Sequence, residues 1–509
     1  MEPVRVSPEE LRRFVAAVFR RLGVPPADAE ICAEVLVTAD VRGITSHGVS
    51  RLWLYVKRLR EGTVSPVTEL RVVREGPTTA VLDAQNGLGM VAGHRAMELA
   101  IRKARAFGLG AVAVRNSSHY GIAGYYALMA AREGMIGMSF TNARPSVAPT
   151  FGVEPMLGTN PIAFACPTDE PFPFCFDAAT SVSQRGRIEV LARLGEPVPV
   201  GWVVDREGRP ATDAPAILAG LPHDRYAFLP LGGAGEELGG HKGYGLATLV
   251  EILCSALAGG PFLKDLADVD AQGRPKPSRL GHFFLAVDVQ RFLPLEEFRR
   301  RVGEILRALR ASARAPGAAR IYTAGEKAYL REQEVREKGV PLDPPLWAGL
   351  RSLAEELGVP APAPRGGAVG GGVRDVAAAW IVEGGRVLLA RRQGADEQGG
   401  LWEFPGGGQE EGEDLRACLA RELREELGVE AAVGEKLGEV VHAYPGLTVR
   451  LHLFRARIVR GEPRPLGCAE VRWVPLEELG RYALAPADRA LLQGLGAGPA
   501  GPPPPDGAS

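Results

Sequence analysis

The stretch GVPAPAPRGGAVGGG, Gly358 to Gly372, does more than any other to limit how this 509-residue chain can fold. Prolines at 360, 362 and 364 stiffen its first half, and the glycines that follow loosen the second. The seam therefore predicts two separate domains, residues 1–357 and 374–493, joined by a linker at 358–373. Beyond them, GLGAGPAGPPPPDGAS at 494–509 reads as a disordered tail.

Composition removes several function classes. With 46% apolar residues, 24% charged residues and a formal net charge of −1, no basic excess favours a nucleic-acid polymer as partner. No run of about 18 apolar residues can span a membrane. Arg5, Glu9, Glu10, Arg12 and Arg13 break up any secretory h-region. The six cysteines (Cys32, Cys166, Cys175, Cys254, Cys418, Cys468) are scattered without a C-x-x-C pair, which fits reduced thiols in a cytoplasmic protein.

In the second domain, VAAAWIVEGGRVLLARR reads as two strands about the Gly384-Gly385 turn, and LTVRLHLFRARIV as another strand. Between them lies ARELREELG, a helix with Leu419, Leu423 and Leu427 on one stripe and Glu422, Glu425 and Glu426 beside it. Glu422 and Glu426 form an i,i+4 like-charge pair, which costs a few tenths of a kcal/mol (roughly 0.2–0.5) on a bare helix. A solvated charged face is the plain reading, but the flanks argue otherwise. Gly407, Glu413, Arg421, Glu422, Glu425, Glu426 and Gly428 fit G-x5-E-x7-R-E-U-x-E-E-x-G-U throughout.

This stretch resembles the Nudix box, and WEFPGG resembles its entry in MutT-type hydrolases. The resemblance implies an α/β/α sandwich that holds Mg²⁺ or Mn²⁺ through Gly407, Glu422, Glu425 and Glu426, with Glu425 in the catalytic set. Hard carboxylate oxygens suit such ions, which neutralise phosphate charge and activate water. A loop of Gly406, Gly407 and Gly408 would let backbone approach a phosphate. The nucleotide substrate implied is a nucleoside triphosphate, with 8-oxo-dGTP one candidate and Asp488 of LAPADRALL at the position that reads the base.

The pattern is also departed from. Gly408 stands where a lysine is common, and Gly467 stands where a further metal-binding glutamate is usual, leaving Glu470 as a second position for it. Pro445 lies near where ADP-ribose hydrolases carry a proline, so ADP-ribose or NADH is an alternative substrate. The S-Q-P-W-P-F-P signature of NADH pyrophosphatases is absent. A non-catalytic nucleotide sensor is a further alternative, against which the intact box glutamates argue.

The first domain opens on a helix signal: Ser7 as N-cap, Pro8 in the first turn, Glu10 completing a capping box. A second helix runs through PADAEICAEVLVTADVRG. No G-x-G-x-x-G follows a strand, so no Rossmann motif is present. The blocks GITSHGVSRLWLYVKRLREG, VRNSSHYGIAGYYA, FTNARPSVAPTFGVEPMLGTNPIAFACP, FDAATS, LPLGGAGEELGGHKGYGLATLVEIL and GHFFLAVD together resemble the type-2 malate/L-lactate dehydrogenase family. That family has its own non-Rossmann α/β fold that binds NAD or NADP, and usually forms homodimers.

Oxidising a 2-hydroxy acid needs a proton acceptor, a cation for the carboxylate and a placed nicotinamide. Histidine suits the proton step because it titrates near neutrality. The resemblance assigns that role to His47 of Ser46-His47-Gly48 first and puts His119 in the same pocket. Arg51 is suited to a bidentate carboxylate clamp, and Tyr55, four residues on, can share its face if that segment is helical. By resemblance, Asp177, Thr180, Ser181, Lys242, Gly243, Gly325 and Glu326 contact the dinucleotide. Gly158-Thr159-Asn160 is either a turn near that site or a plain structural turn. Ala178 replaces a usual methionine. Malate and oxaloacetate are the expected substrate pair; lactate, sulfolactate or another 2-oxo acid or imine is the alternative.

Overall fold

The computed structural model describes residues 3–270, 272–365, 374–392, 400–410, 412–444 and 447–494. The second half of the expected linker, the expected tail beyond Gly494, and Pro445 lie outside the described residues. By contacts between Cα atoms, the chain divides into two compact units, Met1–Arg365 and Gly366–Ser509.

The first half of the proline segment is not a spacer. Val359 packs on the first unit's core, Pro364 bridges Val6, and the Arg365 amide donates to the Arg5 carbonyl at 2.5 Å. The alternating prolines suit this edge position, since they need no partner for a missing N–H.

The first unit starts with the expected helix, Pro8–Arg21, whose Glu10 amide donates to the Ser7 hydroxyl at 3.1 Å. The reciprocal half of the capping box is absent, because the Glu10 carboxylate instead faces Arg13 and the Ala363 amide. The second helix is Pro26–Val41, apolar nearly all round and correspondingly buried. The unit's main sheet has seven strands, in the order Arg71–Glu75, Thr79–Asp83, Leu109–Ser117, Leu280–Asp288, Met135–Thr141, Ile162–Cys166, Phe174–Ala178. Only the Thr79–Asp83 and Leu109–Ser117 pair is parallel, connected through the helix Gly89–Phe107. All other neighbours run antiparallel, so this is not the parallel sheet of a doubly wound dinucleotide fold.

The second unit is a mixed sheet covered on both faces. Arg374–Glu383 runs parallel to Leu447–Arg460 and antiparallel to Arg386–Arg391. Strand alternation sorts its residues: Ala377, Ala379 and Ile381 meet Cys418, Leu419, Leu423 and Leu427 of the helix Leu415–Leu427. Ala378 and Trp380 face the opposite core with Trp402, Phe404, Leu484 and Leu491. The result is the expected α/β/α sandwich.

All six cysteines are buried, and none forms a disulfide. Among the described residues, no helix is long and apolar enough to cross a membrane.

Candidate active sites

In the first unit, two short 3₁₀ turns, Thr45–His47 and Val49–Arg51, lead into the helix Leu52–Arg60. Arg51 caps that helix and Tyr55 lies one turn in, so the pair does share a face. A cavity of about 190 Å³ opens here, lined by His47, Arg51, Arg58, His119, Arg144 and Gln184 among others. The His47 and His119 rings stack with centroids 5.7 Å apart. Ser46 Oγ lies 3.0 Å from His47 Nδ1, and the buried Tyr55 hydroxyl lies 2.6 Å from His119 Nδ1. Each histidine thus has its Nδ1 engaged by a hydroxyl, and the Gly121 amide also donates to His119 Nδ1 at 3.3 Å.

Burial, then the Arg51 guanidinium, push the His47 imidazole down to about 4. His119 is pushed well below its ordinary value by burial and by His47. Both are neutral imidazoles at neutral pH.

Arg51 Nε donates to the Ser46 carbonyl at 2.7 Å, holding the guanidinium at the cavity wall. Two cavity residues that the sequence did not single out, Arg58 and Arg144, share Asp268 at 3.5 and 3.2 Å. A signal for Arg58 did exist, since it follows Tyr55 by one helical turn. Asp268 sits in a remote irregular segment and carried none. Asp40, also unremarked in the sequence, lies behind the His47 turn, buried and accepting from the Val49 amide at 2.7 Å. Burial, partly offset by that amide, pushes its carboxyl up to about 7.

The residues expected at the dinucleotide fall into three places. Thr180 donates from its amide to the Thr159 carbonyl and from its hydroxyl to the carbonyls of Thr159 and Asn160, and Thr159 lines the cavity. This ties Thr180 to the cavity wall through Thr159 of the Gly158-Thr159-Asn160 turn. Ser181 points its hydroxyl at the Ser183 carbonyl. Asp177 accepts from the Gly124 amide at 2.7 Å, and burial pushes it up to about 6. Gly243 packs on Leu231, whose amide donates to the Thr180 carbonyl, while Lys242 is exposed. Gly325 caps the helix Glu326–Lys338 beside Pro173 and Cys175, at the strand that carries Asp177. Glu326 is buried and accepts from Thr323, with Arg320 paired to it, so its carboxylate is occupied structurally.

In the second unit, the expected Gly406-Gly407-Gly408 loop is a short strand, paired antiparallel with Val376–Ala378. Glycine is required there for another reason: a Cβ on Gly407 would lie 2.2 Å from the Glu422 carboxyl carbon. The like-charge strain on the helix is relieved by Arg421, which reaches Glu422 at 2.9 Å, Glu425 at 3.1 Å and Glu413 at 3.0 Å, and donates to the Gly408 carbonyl. Every fixed polar residue of the box except Glu426 therefore meets Arg421.

Glu426 lies apart. Burial, then the carboxylates of Glu403 and Glu422, push it up to about 7. Glu403 pairs with Arg392 at 2.7 Å. Among the described residues, no three acidic, histidine or cysteine side chains stand as a preformed metal cage, so the expected single cluster of Glu422, Glu425 and Glu426 is divided by Arg421. The donor set still fits a divalent cation: hard oxygens whose ionised forms repel one another at Glu426. Gly467 packs against Glu426, so the usual extra glutamate is missing from a position beside the site. Glu470 is paired with Arg391 and Arg472, the arrangement of a surface ion pair. Asp488 is buried and accepts from the Phe404 amide at 2.9 Å.

Residues 6–351 match the family model for malate/L-lactate dehydrogenase. The chain belongs to that family. Residues 377–494 match the model of the NUDIX domain, so the family member carries a Nudix domain at its C-terminal side. The chain is 46% identical to the malate dehydrogenase of Pyrococcus horikoshii over 356 residues, 70% of this chain and 96% of that protein. It is 39% identical to the L-sulfolactate dehydrogenase of Methanocaldococcus jannaschii over 357 residues, 70% of this chain and 97% of that one. The crystal structure of malate dehydrogenase from Entamoeba histolytica is similar at a TM-score of 0.68 and 43% identity, covering 70% of this chain and 99% of its own. The chain is thus a malate/lactate-type dehydrogenase with a Nudix hydrolase domain.

Proposed function

We propose that the first unit interconverts malate and oxaloacetate with NAD or NADP, and that the second hydrolyses a nucleoside triphosphate with Mg²⁺. The observation that carries the first reading is the charge of the cavity. Arg51, Arg58 and Arg144 line it, with Asp268 between the latter two, so its walls suit a substrate with two anionic groups. In this reading Arg51 clamps the carboxylate beside the reacting carbon, and Arg58 and Arg144 hold the distal acid group. His47 exchanges the hydroxyl proton through Nε2, with Ser46 fixing its ring, and Tyr55 orients His119 against it. The nicotinamide, when bound, carries the hydride; the Thr159–Thr180 contact and the Asp177, Gly243 and Gly325 positions would hold it. Burial is the larger cause that depresses His47, and an anion bound at Arg51 offsets the smaller one, which moves the imidazole back toward its ordinary value.

A sulfonate in place of the distal carboxylate fits the same arginines, and the M. jannaschii relative is named for sulfolactate, so 3-sulfopyruvate is the second candidate. Homodimers are supported by the helix Gly240–Glu251 and its extension, where Leu246, Leu249, Ile252 and Leu257 are each 40% exposed or more. Six buried cysteines with no disulfide between them agree with a cytoplasmic setting.

In the second unit, a Mg²⁺ held by Glu422, Glu425, Glu426 and the Gly407 carbonyl would neutralise phosphate charge. Arg421 fixes Glu413 against the Gly408 carbonyl, and Asp488 fixes the Phe404 backbone, which shapes the wall beside Glu403. The products expected are a nucleoside monophosphate and pyrophosphate.

The test is a panel on the intact chain. Oxaloacetate should be reduced with a kcat/KM at least tenfold above pyruvate; a preference for pyruvate would sink the two-anion reading. Nucleoside triphosphates should release pyrophosphate only with Mg²⁺ or Mn²⁺. AMP release from ADP-ribose, with triphosphates untouched, would replace the triphosphate reading.

A further inference from the structure

Among the described residues the turn that carries His47 pairs with no strand; its own backbone hydrogen bonds are local, and Asp40 reaches it from the helix Pro26–Val41. Gly48 follows the histidine directly, and its backbone stands at φ −87° and ψ −147°, outside both the helical and the extended regions. A Cβ placed on Gly48 would lie 2.0 Å from one Asp40 carboxyl oxygen and 2.2 Å from the other. The carboxyl group therefore fills the space in which residue 48 has no side chain. Its second contact is with the next residue: Oδ2 accepts from the Val49 amide at 2.7 Å. Asp40 itself is 3% exposed and rigidly mounted near the end of the helix Pro26–Val41. It does not touch the cavity, which is lined by His47 and Arg51 on either side of the Gly48-Val49 pair.

We infer that Asp40 is a positioning residue for the dehydrogenase reaction, holding the Gly48-Val49 peptide so that His47 and Arg51 converge on one substrate. The inference rests on the proton role assigned above to His47. A buried carboxyl that faces no positive side chain is costly to keep, and burial accordingly raises it to about 7. The hydrogen bond that its carboxyl accepts is from the Val49 amide, in the turn between His47 and Arg51. The contact needs an acceptor of this size and shape at 40, and no side chain at 48. Asparagine preserves the acceptor, and alanine removes it. A displacement of about 1 Å at a reacting group lowers turnover by about a hundredfold.

The experiment compares Asp40→Ala, Asp40→Asn, Gly48→Ala and His47→Ala in the full chain, with kcat and both KM values measured on folded protein. Asp40→Ala should lower kcat ten- to a hundredfold with the cofactor KM within twofold of wild type, and Asp40→Asn should restore most of that loss. Gly48→Ala, which drives a Cβ into the carboxyl, should show the same kcat loss and covers the case in which Asp40→Ala does not fold. If Asp40→Ala or Gly48→Ala only lowers the melting temperature while kcat per folded molecule is unchanged, the residue is structural and the inference is overturned. An Asp40→Asn variant as poor as Asp40→Ala would also overturn it, since the acceptor alone is then insufficient. Full turnover in His47→Ala would instead bring down the reading on which the inference rests.

Discussion

Asp488→Asn tests both the electrostatics and the assignment of the residue expected to read a base. Asp488 is 4% exposed, and burial, opposed by the Phe404 amide and joined by the Glu403 carboxylate, pushes it from 3.8 up to about 7. In the unfolded chain it ionises near 3.8, so below that pH folding leaves its proton in place and stability is unaffected. Between 3.8 and about 7 the unfolded chain loses a proton that the folded one keeps, and stability falls as pH rises; above about 7 the loss is complete. About three pH units at 1.36 kcal/mol each set an upper bound of about 4 kcal/mol. Relaxation and water entry around the ionised group should leave about 1–3 kcal/mol. Asparagine keeps an oxygen for the Phe404 amide and carries no charge at any pH. The variant should therefore match wild type at pH 4 and exceed it by about 1–3 kcal/mol at pH 8. Amide exchange in the strands Arg374–Glu383 and Leu447–Arg460 reads this unit alone within the intact chain. Equal protection of both proteins at pH 8 would refute the reasoning. An altered purine preference in the same variant would support a base-reading role beyond the Phe404 contact.

Arg51→Lys should raise the KM for the 2-oxo acid about tenfold or more with a smaller change in kcat, because lysine cannot reproduce the bidentate fork; steady-state kinetics check it. Leu423→Ala, which empties a fully buried position between helix and sheet, should destabilise the second unit by about 2–5 kcal/mol on denaturation and leave dehydrogenase activity intact. A broad-specificity protease should spare residues 358–365, whose backbone is tied to the first unit, and cut beyond Arg365; cleavage inside 358–365 detected by mass spectrometry would contradict that docking.

What the sequence disclosed depended on how local the determinant was. The Nudix box was legible because its residues stand at fixed spacings within one short stretch, and the helix Leu415–Leu427 carries its Arg421, Glu422, Glu425 and Glu426. Ser46, His47, Arg51 and Tyr55 stand within ten residues of each other, but His47 took its proton role from the resemblance and not from spacing. His119 joined them only through resemblance, and the structure brings its ring against His47. Arg144 and Asp268 converge from distant strands and loops, and no pattern along the chain announces such a meeting. The glycine run at 406–408 was misread as a loop because glycine signals turns and close approaches alike; here the close approach of Glu422 is the reason. The proline segment was misread because composition alone does not say whether an extended strip has a sheet edge to lie on, and Val6 provides one.

The account's central claim is that one chain carries two separate chemistries, each in its own unit. The most direct measurement assays oxaloacetate reduction and Mg²⁺-dependent triphosphate hydrolysis on the intact wild type, His47→Ala, and the Glu425→Gln, Glu426→Gln double variant. His47→Ala should lose about two to four orders of magnitude in reduction and none in hydrolysis. The double variant should lose hydrolysis steeply, with bound Mn²⁺ falling in parallel, and keep full reduction. Hydrolysis undiminished in the double variant, or reduction undiminished in His47→Ala, would contradict the claim.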